Sequence, residues 1–158
     1  MRMGFRVRRS GPRILYPRHM SELLHRIKVF VFRYQESRPD YLLLRAGGAE
    51  SFWGPIQGPI GFGEKLESAI RREVMDDVGI RQPLDLIDLK MPAHWVLGDE
   101  EVIEWVFGFQ VPFEDGGLHL APRWSESQWA GFSRAYPSLE LDGDRAAIIR
   151  LHTLLGAA

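Results

Sequence analysis

Residues 58–80 read GPIGFGEKLESAIRREVMDDVGI, and the architecture can be read outward from them. It changes character at Lys65. Residues 54–63 hold four glycines, Gly54, Gly58, Gly61 and Gly63, and two prolines, Pro55 and Pro59. That density forbids a helix and predicts an irregular loop that exposes its backbone. Beyond Lys65, Leu66, Ile70, Val74 and Val78 recur every fourth residue, with Ala69 beside them. The spacing predicts a helix over 65–78 with one apolar stripe, stopped by Gly79. On that helix Glu73 and Asp77 stand four apart and share a face, and Asp76 is three from Glu73. Three carboxylates packed this closely repel one another, and a divalent cation removes the conflict. Oxygen donors with no cysteine or histidine nearby suit Mg²⁺ or Mn²⁺ rather than zinc. An acidic run is also what a solvated helix surface presents. The glycine loop at its fixed distance turns the reading toward a site. The histidines at 19, 25, 94, 119 and 152 show no metal-ligand spacing.

Outward from this segment the chain reads as strands and one more helix. Arg26–Tyr34 and Tyr41–Arg45 are apolar, β-branched or aromatic, and predict a hairpin turning at Pro39-Asp40. Gly47-Gly48 opens a loop that ends near Phe52-Trp53. Leu84–Met91, Glu101–Val111 and Gln128–Phe132 are further strand candidates, with a turn at Asp115-Gly116-Gly117. Residues 142–155 predict a C-terminal helix with Ala146, Ile149 and Leu154 facing inward. Strands interrupted by one helix and closed by another imply a mixed sheet with helices packed on it.

Composition fits one domain. The chain has 158 residues, 45% of them hydrophobic and 11% aromatic, enough for a sizeable core. A net charge of −1 gives no global field toward nucleic acid or an anionic membrane. The absence of cysteine excludes disulfides, thiolate metal sites and a cysteine nucleophile, and fits a reducing cytoplasm. The longest apolar runs, such as Val29–Phe32, are too short to span a bilayer, and no signal-peptide stretch follows the basic start. Arg2, Arg6, Arg8, Arg9, Arg13 and Arg18 crowd residues 1–20, a basic extension ahead of a domain over 21–158. It reads as an arm for RNA or phosphate, as a frayed, solvated terminus, or as a stretch upstream of Met20 as the true beginning.

The quoted stretch resembles the Nudix box, G-x5-E-x7-R-E-U-x-E-E-x-G-U with U aliphatic. Gly58, Glu64, Arg72, Glu73, Val74, Gly79 and Ile80 match it, and the tandem Glu pair is Asp76-Asp77. The resemblance implies an α+β fold, an α/β/α sandwich with a mixed β-sheet and a catalytic loop-helix. It implies metal-dependent hydrolysis of a diphosphate linkage in a nucleoside triphosphate or related derivative. The products would be a monophosphate with pyrophosphate or phosphate. Glu73 resembles the central ligand of Mg²⁺ or Mn²⁺, with Asp76 and Asp77 sharing metal or orienting water. The carbonyl of Gln57, just before Gly58, resembles a further ligand. Glu64 and Arg72 resemble the ion pair that ties loop to helix. Arg45 could meet phosphate, or simply end a strand at the surface.

Phe52-Trp53, Glu104-Trp105-Val106-Phe107, Leu120, Trp129 and Asp144–Ile148 are similar to the branch that hydrolyses dihydroneopterin triphosphate and dATP. In that branch a Glu-His pair often follows the leucine near 120. Here Ala121-Pro122-Arg123 stands instead, with Glu126 nearby. Glu104 is either an outer metal contact or base, or a cross-strand salt-bridge residue. Trp53, with Trp95, Trp105, Trp124 and Trp129, could stack on a base or pack in the structure. Asp is one methylene shorter than Glu, so Mn²⁺ is expected to be favoured over the more exacting Mg²⁺. The partners expected are a small nucleotide and a second copy of the chain, not a membrane or nucleic acid. A different class, a degenerate Nudix domain that binds a nucleotide or partner without catalysis, is the alternative. Action on RNA 5′ ends is a third reading, motivated by the arginine-rich start.

Overall fold

A computed structural model describes residues 22–113 and 117–156. The arginine-rich start and the Asp115-Gly116 part of the expected turn lie outside the described residues. Seven strands and three helices follow in the order β1 (Glu22–Gln35), β2 (Arg38–Ala46), β3 (Ile56–Pro59), α1 (Leu66–Val78), β4 (Asp85–Asp88), β5 (Ala93–Leu97), β6 (Glu100–Gln110), β7 (Trp124–Gly131), α2 (Phe132–Ser138) and α3 (Asp142–Leu154). They build one mixed sheet with the spatial order β4-β6-β1-β2-β7. β3 adds to β1, and β5 to β6. The centre is the parallel pair β1–β6, in register from Glu22↔Glu100 to Phe32↔Gln110.

Strand alternation sorts the core into two layers. On one face Ile27, Val29, Val31, Phe107 and Phe109 pack with Ala69, Ile70, Val74 and Val78 of α1. On the other, Phe30, Phe32, Tyr41, Leu43 and Val106 pack with Ala135 of α2 and Ala147, Ile148 and Leu151 of α3. The result is the helix–sheet–helix sandwich expected from the sequence. Among the described residues, no helix is long and apolar enough to cross a membrane.

Several local expectations are corrected. The hairpin turns at Glu36-Ser37, both at positive φ (51° and 69°), and Pro39 lies inside β2 opposite Tyr34. Two consecutive left-handed residues match the twist of the flanking strands. With no Asn or Gly at 36–37, that turn carries no sequence signal. Within the glycine-rich stretch, Ile56–Pro59 forms a four-residue strand against Arg26–Val29, so the loop is only partly irregular. The inward face of α3 is Ala147, Ile148 and Leu151, whereas Ala146, Ile149 and Leu154 are exposed. The sequence carries no clear signal for β5 or α2. β5 is exposed along its length, and α2 carries Pro137.

The α3 face also buries an ionic group. Lys28, Glu104 and Asp144 are 6%, 3% and 2% exposed. Lys28 Nζ lies 3.3 Å from Glu104 and 2.7 Å from Asp144 Oδ1, the latter off the line of a well-angled hydrogen bond. Nearby, Tyr41 Oη pairs with His152 Nδ1 at 2.6 Å, and burial pushes the Tyr41 phenol up from its ordinary value.

Candidate functional site: the carboxylate face of α1

α1 begins after Lys65 and ends on Gly79, which adopts φ 78° and donates its N–H to the Met75 carbonyl. A side chain at Gly79 would be strained there and would also meet His119 at 2.9 Å. This stop fixes the last turn of the helix, which carries the acids. Glu73 and Asp77 are buried, at 8% and 4% exposed, and Asp76 is exposed. The helical angle explains the split. At about 100° per residue, Asp77 lies about 40° to one side of Glu73, and Asp76 about 60° to the other. Asp77 therefore turns toward the sheet and Asp76 toward solvent.

β3 supplies the wall opposite Glu73. A Cβ on Gly58 would lie 2.2 Å from the Glu73 carboxyl carbon, so only glycine leaves room for that carboxylate. We expect Gly58→Ala to expel the Glu73 carboxylate and to lower activity by roughly 10- to 100-fold, with melting little changed. Kinetics beside calorimetry would check this.

Arg72 clamps the loop to the helix. Its Nε donates to Glu64 Oε2 (2.8 Å), Nη1 to Glu73 Oε2 (2.7 Å), and Nη2 to the Pro59 carbonyl (2.9 Å) and Glu64 Oε1 (3.0 Å). Glu64 Oε1 also accepts the Gly61 N–H at 2.8 Å. The hydrogen bonds from Arg72, with that from Gly61, hold the Glu64 carboxyl down to about 2, below its ordinary 4.5. Arg72 binds the ionised form, so the clamp stabilises the fold above about pH 4.5 and is lost as pH falls toward 2. The urea midpoint of Glu64→Gln should lie below wild type at pH 7, and the gap should close between pH 5 and 2.

Asp77 has its own arginine. Arg123 Nη2 lies 2.5 Å from Asp77 Oδ2 and 3.5 Å from the Gln57 carbonyl. The mutual repulsion expected of the acids is thus met by guanidinium groups. In the sequence, position 123 stands out only as a missing carboxylate. A basic residue at that position was the signal for this contact.

The other predicted residues fall elsewhere. Arg45 forms a close ion pair with Glu126 and stacks on the half-buried Trp53, 4.7 Å from its ring. Glu126 is therefore already engaged. Glu104 belongs to the Lys28 group on the α3 face, across the sheet from α1. A cleft lined by Lys90, Met91, Ala146, Ile149, Arg150 and Thr153 lies on the outer side of α3 and contains none of these residues.

Among the described residues, no three Asp, Glu, His or Cys side chains gather into a metal site of their own. The oxygens at α1 that could hold a cation are two buried carboxylates, Glu73 and Asp77, and the Gln57 carbonyl, which Arg123 links to Asp77. These are hard oxygen donors. They fit Mg²⁺ or Mn²⁺, ions that complete their coordination with water and substrate phosphates.

No family model and no curated relative matches the sequence. Solved structures do match. A putative NUDIX hydrolase from Listeria monocytogenes superposes with TM-score 0.71 at 18% identity, over 84% of this chain and 94% of that one. The Escherichia coli dihydroneopterin triphosphate pyrophosphohydrolase gives 0.69 at 21%, over 85% and 96%. The NUDIX domain of Shewanella oneidensis NrtR, complexed with ADP ribose, gives 0.71 at 14%, over 89% and 94%. With its mixed sheet between α1 and α3 and its glycine loop clamped to α1, the chain has the Nudix hydrolase fold.

Proposed function

We propose that this chain is a metal-dependent Nudix hydrolase that cleaves the diphosphate linkage of a nucleoside triphosphate or related derivative. The products are a monophosphate and pyrophosphate or phosphate. The observation that carries this reading is the pair of buried carboxylates on α1: Glu73, against the space that Gly58 leaves on β3, and Asp77, linked through Arg123 to the Gln57 carbonyl. Glu73, Asp77 and the Gln57 carbonyl would hold Mg²⁺ or Mn²⁺. When bound, the cation neutralises the diphosphate and activates the attacking water. Asp76, exposed one turn from Glu73, orients water from the solvent side. Arg72 directs the Glu73 carboxylate, and the Glu64 clamp keeps the loop closed on it. Arg45 and Trp53, already in contact, offer a cation for phosphate and a ring for a base. A triphosphate of dATP or dihydroneopterin type is the substrate class favoured, and the Escherichia coli pyrophosphohydrolase of the same fold supports it.

The test is release of monophosphate and pyrophosphate or phosphate. The panel is dNTPs, NTPs, dinucleoside polyphosphates, nucleotide sugars and dihydroneopterin triphosphate, each with Mg²⁺ and Mn²⁺. Turnover of one substrate class is expected, faster with Mn²⁺ because the aspartates reach less far than glutamates. One observation favours a second reading, a nucleotide-binding domain without catalysis: Asp77 is already paired with Arg123. No turnover with either metal, and no metal binding by calorimetry, would establish that reading instead.

A further inference from the structure

Both buried carboxylates of α1 carry an arginine, but the two arginines are held differently. Arg72 is fixed by four hydrogen bonds to three partners, Glu64, Glu73 and the Pro59 carbonyl. Arg123 reaches Asp77 from solvent. Its side chain is 51% exposed, against 5% for Asp77. Its guanidinium spans the Asp77 carboxylate and the Gln57 carbonyl, two of the three oxygen donors assigned to the cation.

The position is built by the backbone. His119 N–H donates to the Val78 carbonyl and Ala121 N–H to that of Asp77, each at 2.9 Å. These bonds clip the segment before β7 onto the last turn of α1, and Arg123 follows two residues later. A guanidinium remains charged at any ordinary pH and only donates. A divalent ion on the same oxygens would face that charge at contact distance, where repulsion is strong in a half-buried site. The two cations therefore exclude each other. Arg123 is the one that can move without opening the core, and its guanidinium already stacks on Trp124, 4.6 Å from the ring.

We propose that Arg123 is a resident cation that occupies the Asp77–Gln57 position and must be displaced for a divalent metal to bind. This rests on the metal-dependent reading above. It makes Arg123 a residue that sets metal affinity, which neither the fold nor the acidic motif requires. Displaced from Asp77 and still beside Trp124, its charge faces the incoming diphosphate.

The experiment is Mn²⁺ binding to the full chain without nucleotide, followed by the electron paramagnetic resonance of free Mn²⁺, for wild type, Arg123→Gln and Arg123→Lys. Arg123→Gln should bind Mn²⁺ about tenfold more tightly than wild type. Its melting temperature without metal should fall, because Asp77 loses its partner, and Mn²⁺ should raise it by more than in wild type. If Arg123→Gln does not fold, Arg123→Lys decides, since it keeps the charge but loses the planar guanidinium whose Nη2 meets both Asp77 and Gln57, so the metal should displace it more easily. Tighter binding by the variant supports the exchange. Equal or weaker binding by a folded variant overturns it while leaving the metal reading intact. No Mn²⁺ binding by any form overturns both.

Discussion

Glu73→Gln is expected to reduce hydrolysis of the best diphosphate substrate by about 10³-fold while leaving the chain folded. Glu73 sits 8% exposed between α1 and Gly58, with one oxygen on Arg72. Glutamine has nearly the same shape and can still accept the Arg72 hydrogen bond through its carbonyl. What it loses is the negative charge that a hard cation needs. Lewis-acid assistance is worth several kcal/mol of transition-state stabilisation, and about 4 kcal/mol corresponds to about 10³ in rate. The loss should fall on kcat, with nucleotide binding measured by calorimetry changed far less. A variant retaining more than a tenth of wild-type turnover would show that Glu73 does not hold the cation.

The largest effect on stability should come from the far side of the sheet. Lys28→Met leaves Glu104 and Asp144, 3% and 2% exposed, without their shared ammonium. Removing one partner of a buried ionic group costs about 3–5 kcal/mol, because an uncompensated charge remains out of water. For a domain of this size that is a fall of about 10 °C or more in Tm. The triple change Lys28→Met, Glu104→Leu and Asp144→Leu should recover much of the loss, since apolar residues of similar volume often replace buried ion groups without penalty. Thermal unfolding of the single and triple variants measures both. A single variant as stable as wild type would mean that the group is solvated despite its burial.

What the sequence revealed was local. The α1 stripe, its Gly79 stop and the spacing of Glu64, Arg72, Glu73 and Asp77 are all set within one segment, and they placed the loop-helix. Features that depend on distant partners were hidden. Lys28 interrupts the otherwise apolar run Ile27–Phe32 and reads as a surface residue until Glu104 and Asp144 are brought beside it. By sequence Glu104 is a candidate for the metal, but strand alternation sends it to the α3 face. Asp76 was grouped with Glu73 and Asp77 by counting three and four residues. That count ignores the sense of rotation, which turns Asp76 outward. β3 was masked by its glycine and proline content, and its pairing comes from β1. Arg123 was legible as a residue type but not as a partner of Asp77, because the backbone clips at His119 and Ala121 put it there.

The most direct measurement is diffraction from crystals grown with Mn²⁺, collected at a wavelength where manganese scatters anomalously. An anomalous peak is expected between the Glu73 and Asp77 carboxylates and the Gln57 carbonyl, with Arg123 moved off Asp77. Manganese absent from that position, at concentrations that support turnover, would contradict it.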